Sequence, residues 1–411
     1  MKRRVVITGI GVLSCVGTGR EQYWDALSQG KTGFGPITLF DTSSCPVRTA
    51  GEIRDFDPVV YLGKKGLRDL DRSARLVCSA AKLAIDDARF QVTDDNTRSI
   101  GVSVGTTFGS LHSISQFDRA GLLEGPRYVN PSHFPNTVLN SPASRVSIRF
   151  NIKGFNTTIS TGFCASLDAL SYAADFIQLR RAKAVLAGGV EEFCEETFRG
   201  FSELGCLSGG NGTEPLCCPF DMRRNGTLLS EGASVAFLED GEHAAQRGAT
   251  VLAEVLGYGS SFDPEAEKNF AHRGNGLRRA ITQALNEAAV APADIHYVSS
   301  CANSTRGLDR IETRVIKEVF GEHAFRLPVS SIKSMVGESF SASGALSVAS
   351  AVGALQKGLI PPTMNYREKD PECNLDYVPN EAREEKVKTV LVTALDPCGQ
   401  NTALVLGKYG R

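Results

Sequence analysis

The stretch Asn156-Thr157-Thr158-Ile159-Ser160-Thr161-Gly162-Phe163-Cys164-Ala165-Ser166-Leu167 reads as a strand, a tight turn and the start of a helix. Thr157, Thr158 and Ile159 favour a strand, and Gly162 lets the backbone turn sharply. From Ala165 the run ASLDALSYAADFIQLRRA has helical spacing, with Leu167, Leu170 and Ala174 on one side. Cys164 therefore falls at a helix N-terminus, where the dipole and unpaired N–H groups favour a thiolate and lower the thiol pKa. A bent strand-to-helix turn that presents a nucleophile recurs in acyl-transfer enzymes. Unpaired cysteine is also among the most buried residue types, and the local residues alone favour an inert core thiol.

Working outward, strands and helices alternate. Strands are expected over 5–8, 99–104, 184–186 and 235–238, and helices over 21–28 and 73–88. Gly9 and Gly11 read as a glycine-rich turn after the first strand, and Gly188-Gly189 as the end of the third. After the charged run 239–247 the pattern restarts. Strands over 251–260, 296–300, 329–330, 388–393 and 402–406 are interleaved with helices over 276–289, 309–320 and 342–357. This is an α/β chain in two similar halves, divided as 1–250 and 251–411.

The chain has 411 residues, 42% hydrophobic and 22% charged, with net charge −1, so the overall balance gives no indication of nucleic acid or a membrane surface. The basic and apolar start imitates a leader, but Gly9 and Gly11 interrupt it and no clear small-residue cleavage site follows. No apolar run approaches the ~18 residues of a membrane span. Eleven scattered cysteines without repeated CxxC spacing point to reduced thiols in a cytoplasmic setting.

Several short stretches, in a fixed order, resemble one family. They are RRVVITGIGVLSCVG at 3–17, GTTFGS at 105–110, NTTISTGFCAS at 156–166, VLAGGVEEF at 185–193, PFDMRRNG at 219–226, SEGAS at 230–234 and GLIPPTMN at 358–365. Over essentially its whole length the chain resembles the elongating β-ketoacyl-acyl-carrier-protein synthases of the thiolase superfamily. The resemblance implies a duplicated, layered α-β-α-β-α fold and a homodimer or heterodimer packed through the strand before Cys164. It also implies an acidic acyl carrier protein as partner, and Cys164 as the residue that takes the acyl group. It implies no cofactor, metal, nucleic acid or membrane span.

The departures are specific. The family's His-Gly-Thr motif aligns with Cys301-Ala302-Asn303, and its Lys-Ser-Met-x-Gly-His motif with Lys333-Ser334-Met335-Val336-Gly337-Glu338. Cys301 and Glu338 thus stand where the resemblance implies two histidines that hold the enolate formed on decarboxylation. The other histidines, at 112, 133, 243, 272, 296 and 323, fall on neither motif. Lys333 and Glu312, its implied charged partner, are kept. Glu338 donates only if protonated, and Cys301 is a weak donor. The family's Gly-Phe-Gly-Gly-Thr-Asn loop reads Asp396-Pro397-Cys398-Gly399-Gln400-Asn401, so the gating ring and the oxyanion N–H implied at 397 are both lost. Phe163 and Phe108 stand where smaller residues are implied, and would narrow the acyl pocket. Lys64, Lys65, Arg68 and Arg127 match basic positions for the carrier protein.

Three functions fit these residues: an acyltransferase or unusual condensing enzyme loading Cys164, a non-catalytic partner resembling the chain-length-factor subunits, and, last, a thiol or metal site formed by Cys164, Cys301, Cys398 and Glu338.

Overall fold

The structure, a computed structural model, describes residues 3–265 and 274–410. Its main sheet contains β1 (Val5–Ser14), β2 (Ile100–Gly105), β3 (Asn156–Ile159), β4 (Ala184–Glu191) and β5 (Gly232–Asp240) from the first half. The second half adds β6 (Ala253–Phe262), β7 (Tyr297–Ser299), β8 (Val329–Ser330), β9 (Thr389–Leu395) and β10 (Gln400–Gly407). The order across the sheet is β8-β7-β9-β10-β6-β1-β5-β4-β2-β3, and Gly17–Thr18 folds back on β1. The two halves repeat one pattern. In each, three strands run parallel (β3-β2-β4 and β8-β7-β9), and two antiparallel strands follow (β5-β1 and β10-β6). The halves join where Val5, Val6 and Ile7 pair with Val255, Glu254 and Ala253.

Five helices complete the layers: α1 (Arg72–Asp87), α2 (Ala165–Gln178), α3 (Asn275–Ala288), α4 (Arg306–Phe320) and α5 (Ser341–Lys357). The apolar faces decide their places. Leu76, Val77, Ala80 and Ala84 of α1 pack on the outer side of the first half. Leu277, Ile281, Ile311 and Val315 of α3 and α4 do the same on the second. Leu167, Leu170 and Ile177 of α2 meet Leu346, Val352 and Leu355 of α5 in the central core. Each such buried Val, Leu or Ile side chain contributes roughly 1.5–3 kcal/mol. The Ser166 hydroxyl accepts the Ala345 N–H at 2.9 Å and fixes the register of the central pair. The architecture is the duplicated α-β-α-β-α arrangement expected. Among the described residues no helix is long and apolar enough to cross a membrane.

The glycines correct the expected boundaries. Gly9 and Gly11 do not turn the chain; they lie inside β1, paired with Phe237 and Val235. Gly188 and Gly189 likewise continue β4, which runs on to Glu191. A Cβ at Gly11 would collide with the Ala80 carbonyl, and one at Gly9 with that of Ala84. These glycines let α1 lie directly on the sheet. The Gly11→Ala variant should accordingly lose about 1–3 kcal/mol of stability by overpacking, read as a lower urea midpoint with an unchanged slope.

Candidate active site

Strand β3 delivers the chain to Gly162, which has φ +59°, and a single 3-10 turn, Gly162–Cys164, leads into α2. Gly162 is required twice, by its left-handed backbone and because a Cβ there would strike the Asp396 carboxylate. The Phe163 N–H donates to Asp396 Oδ2 at 2.9 Å, tying this turn to the β9–β10 loop. Cys164 is fully buried, and its thiol donates to the Gln400 carbonyl at 3.3 Å.

The expected lowering of the Cys164 pKa is overturned. Burial pushes the thiol well above its ordinary range, and Asp168 and Asp396 push it further; a hydroxyl bond from Thr402 and the charge of Lys333 act the other way without prevailing. Asp168, one turn along α2, is held by the hydroxyls of Thr161 at 2.5 Å and Thr402 at 2.7 Å. A helix N-terminus offers about half a charge, less than the combined cost of desolvating a thiolate beside two carboxylates.

Cys301 follows β7. Its N–H donates to Glu312 Oε1 and Thr393 Oγ1, each at 3.1 Å, and burial together with Glu312 raises its thiol well above the usual range. Glu312 also accepts the hydroxyls of Ser300 and Thr393 at 2.5 Å. It holds the Cys301 loop, and its charge also raises the Lys333 pKa, though no direct hydrogen bond joins the two. Lys333 Nζ instead contacts Glu338 Oε2 at 2.7 Å, with both side chains buried. Burial opposes the Lys333 charge, but Glu338 and Cys301 outweigh it and keep the lysine pKa above its ordinary value.

Glu338 has four donors around it. Lys333 Nζ and Asn303 Nδ2 reach Oε2, at 2.7 and 2.9 Å, while the Phe340 N–H and Ser343 Oγ reach Oε1, at 3.0 and 2.8 Å. Every contact donates to the carboxylate, so Glu338 offers no donor of its own. The loop after β9 is equally closed. Cys398 N donates to Asp396 Oδ1 at 2.7 Å, and Gly399 N to Asp396 O at 3.0 Å. Pro397 has no N–H, and neither of the next two amides is left to hold an oxyanion.

Phe340, not singled out from the sequence, lies at the centre of the aromatic cluster. It is fully buried at φ +49°, an uncommon conformation for a bulky residue. Phe163, Phe108 and Phe201 pack on its ring with centroids 5.2, 5.3 and 5.0 Å away. Its only sequence marker was its place two residues after Glu338. Asp396 and Asn303 were also missed as anchors, because their partners are distant in sequence.

Cys164, Cys301 and Lys333 lie within electrostatic reach of one another, and Glu338 joins them through Lys333. Cys398 does not, since it is exposed on the outer side of its loop. Among the described residues no three His, Cys, Asp or Glu side chains are grouped to hold a metal ion. Lys64, Lys65, Arg68 and Arg127 are exposed. The described histidines have other partners: His112 Glu196, His133 Asn130, His243 Glu239, His296 Thr389, and His323 the Ile295 carbonyl. His272 lies outside the described residues.

Residues 2–244 match the family described as "Beta-ketoacyl synthase, N-terminal domain", and residues 252–367 match "Beta-ketoacyl synthase, C-terminal domain". The chain belongs to the β-ketoacyl synthase family. It is 38% identical to the 3-oxoacyl-[acyl-carrier-protein] synthase 2 of Coxiella burnetii over 417 residues, 99% of each chain. Among solved structures it is similar to the ishigamide ketosynthase/chain length factor, with TM-score 0.92, 35% identity and 100% of both chains covered. It is also similar to AntDE:AntF, a type II PKS acyl-carrier protein in complex with its ketosynthase, with TM-score 0.91, 29% identity and 99% of this chain and 100% of that chain covered. Within this β-ketoacyl synthase, the residues around Cys164 form a closed and internally satisfied cluster.

Two outcomes follow from this geometry. Under native conditions iodoacetamide should label exposed Cys398 well before Cys164, and the rate at Cys164 should keep climbing above the ordinary thiol range as pH rises; peptide mapping gives the order. Glu338→Ala should lose about 3–5 kcal/mol, because it strands the buried Lys333 charge. The paired variant Lys333→Met with Glu338→Leu should recover much of that loss in urea unfolding.

Proposed function

We propose that this β-ketoacyl synthase acts in fatty acid or polyketide assembly on acyl chains borne by an acyl carrier protein. It accepts an acyl group on Cys164 and does not decarboxylate a malonyl unit at the same site. One observation carries the second half of this reading: Glu338 is an acceptor-only carboxylate bonded by four donors. A developing enolate needs donors, and one missing donor of this kind typically costs about 10²–10³ in rate. Cys301 supplies only a thiol in place of a second.

Acyl loading balances without a strong base. The Cys164 sulfur attacks the thioester carbonyl, the bond to the carrier's thiol breaks, and the Cys164 proton leaves with that thiol. The raised thiol pKa makes this transfer slow. Lys64, Lys65, Arg68 and Arg127 are exposed cations suited to an acidic carrier, where their main effect is on association rate. Edge strand β3 is our choice for the dimer contact, with a second copy or a related synthase. The scatter of cysteines supports a cytoplasmic setting.

A second reading is a partner subunit of the chain-length-factor kind. It is favoured by the buried, protonated Cys164 and by a loop without an available N–H, and one similar structure is a ketosynthase/chain length factor.

Intact-mass spectrometry after incubation with acyl-carrier protein separates the two. The first reading expects a slow gain of one acyl mass, lost in Cys164→Ala, with no carbon dioxide released from malonyl-carrier protein. No acyl mass over hours would turn the assignment to the partner role. Carbon dioxide release at a rate typical of condensing enzymes, lost in Cys164→Ala, would overturn the claim about decarboxylation.

A further inference from the structure

Two cavities approach the cluster around Cys164. The outer one, 520 Å³, opens to solvent and is lined by Phe201, Asn303, Arg306, Glu338 and Pro397 along with Phe163. The inner one is a void of about 10 Å³ against Cys301, Lys333, Thr393 and Leu395, again with Phe163. That is room for about one water at most. Phe163 is the single residue the two cavities share, and Cys164 lines neither.

The Phe163 ring is held from behind. Its centroid lies 5.2 Å from that of Phe340 at an interplanar angle of 64°, an edge-to-face contact worth about 0.5–1.5 kcal/mol. Phe340 in turn is kept in its positive-φ backbone by the bond from its N–H to Glu338 Oε1. From the other side, Asp396 fixes the Phe163 backbone through its N–H. The backbone is therefore anchored while the ring rests on a single aromatic neighbour at the boundary between an open cavity and a nearly filled one.

We propose that Phe163 is the door of this site: its ring closes Cys164 off from the outer cavity, and a group reaches the thiol only when that ring swings away from Phe340. Ring size at position 163 then sets which acyl groups gain access. This inference deepens the reading of Cys164 as acyl acceptor and, for acyl groups, rests on it; access itself is a property of the closed protein and is tested separately.

The test is alkylation of the native full-length chain by iodoacetamide, mapped by peptide, with exposed Cys398 as internal reference and buried Cys78 as a check on general loosening. A door open about 0.1–10% of the time slows access by roughly 10- to 1,000-fold. Phe163→Ala should therefore raise the Cys164 rate, relative to Cys398, by at least about tenfold on that scale, with Cys78 still protected. Phe340→Ala, which removes the rest behind the ring, should raise it in the same direction, and Phe163→Leu serves where Phe163→Ala does not fold. An unchanged ratio of Cys164 to Cys398 labelling in the folded variants overturns the proposal, and so does a rise matched by Cys78. If Cys164 becomes alkylable in Phe163→Ala yet takes no acyl group from carrier protein, the door stands and the acyl-acceptor reading falls.

Discussion

The site depends on one buried ion pair. Removing Lys333 and Glu338 from water costs several kcal/mol per ion, and only good geometry with further hydrogen bonds offsets it. The structure supplies both. The Glu338 carboxylate meets Lys333 on one oxygen and the Phe340 N–H on the other, with Asn303 and Ser343 filling the remaining acceptor sites. That single side chain therefore connects the loop after β7, the lysine and the first turn of α5. It also holds Phe340 in a backbone conformation that a bulky residue rarely adopts, and so shapes the aromatic cluster beside Cys164.

At Cys164 two electrostatic effects compete, and their sizes decide the outcome. Cys164 ends a strand and 3-10 turn at the start of α2, and the helix end favours negative charge by about 0.3–1 kcal/mol when exposed and up to about 2 when partly buried. Against it stand complete burial and two carboxylates, one on α2 and one on the loop after β9. Lys333 carries a positive charge that acts on the thiol, and that charge already faces Glu338 at 2.7 Å. The thiol therefore rests neutral and donates to a backbone carbonyl.

Much of this was legible in the sequence, for reasons that also explain what was not. Short-range spacing located α1, α3, α5 and the start of α2 to within a residue, and ordered motifs singled out Cys164, Lys333 and the loop at 396–401. Glycine misled where its role was set by a neighbour distant in sequence. At Gly9, Gly11, Gly188 and Gly189 a local reading sees a turn, whereas the structure needs the absence of a side chain inside a strand. Glu312 was expected as the charged partner of Lys333 and its charge does act on that lysine, but its hydrogen bonds go to the hydroxyls of Ser300 and Thr393, a placing fixed by how β7, β9 and α4 assemble. The thiol pKa failed for the same reason: the helix end is local information, while Asp396 arrives from more than two hundred residues away.

The polar groups buried around Glu338 are matched to one another. Each unsatisfied group in a buried site costs about 1–3 kcal/mol. Here the side chains of Lys333, Glu338, Asn303, Glu312, Thr393 and Asp396 all have partners. The carboxylates are matched, Glu338 by a lysine and Asp396 by two backbone N–H groups. Pro397, which withholds an N–H, sits in a loop whose next two amides are turned inward to Asp396. These residues thus form a mutually satisfied set that stabilises a closed arrangement. Histidines at 301 and 338 would break it, because a histidine at 338 lacks the acceptor sites that Lys333, Asn303, Ser343 and the Phe340 N–H use. The chemistry open to this site is therefore limited by the hydrogen-bond network around Glu338 and Asp396.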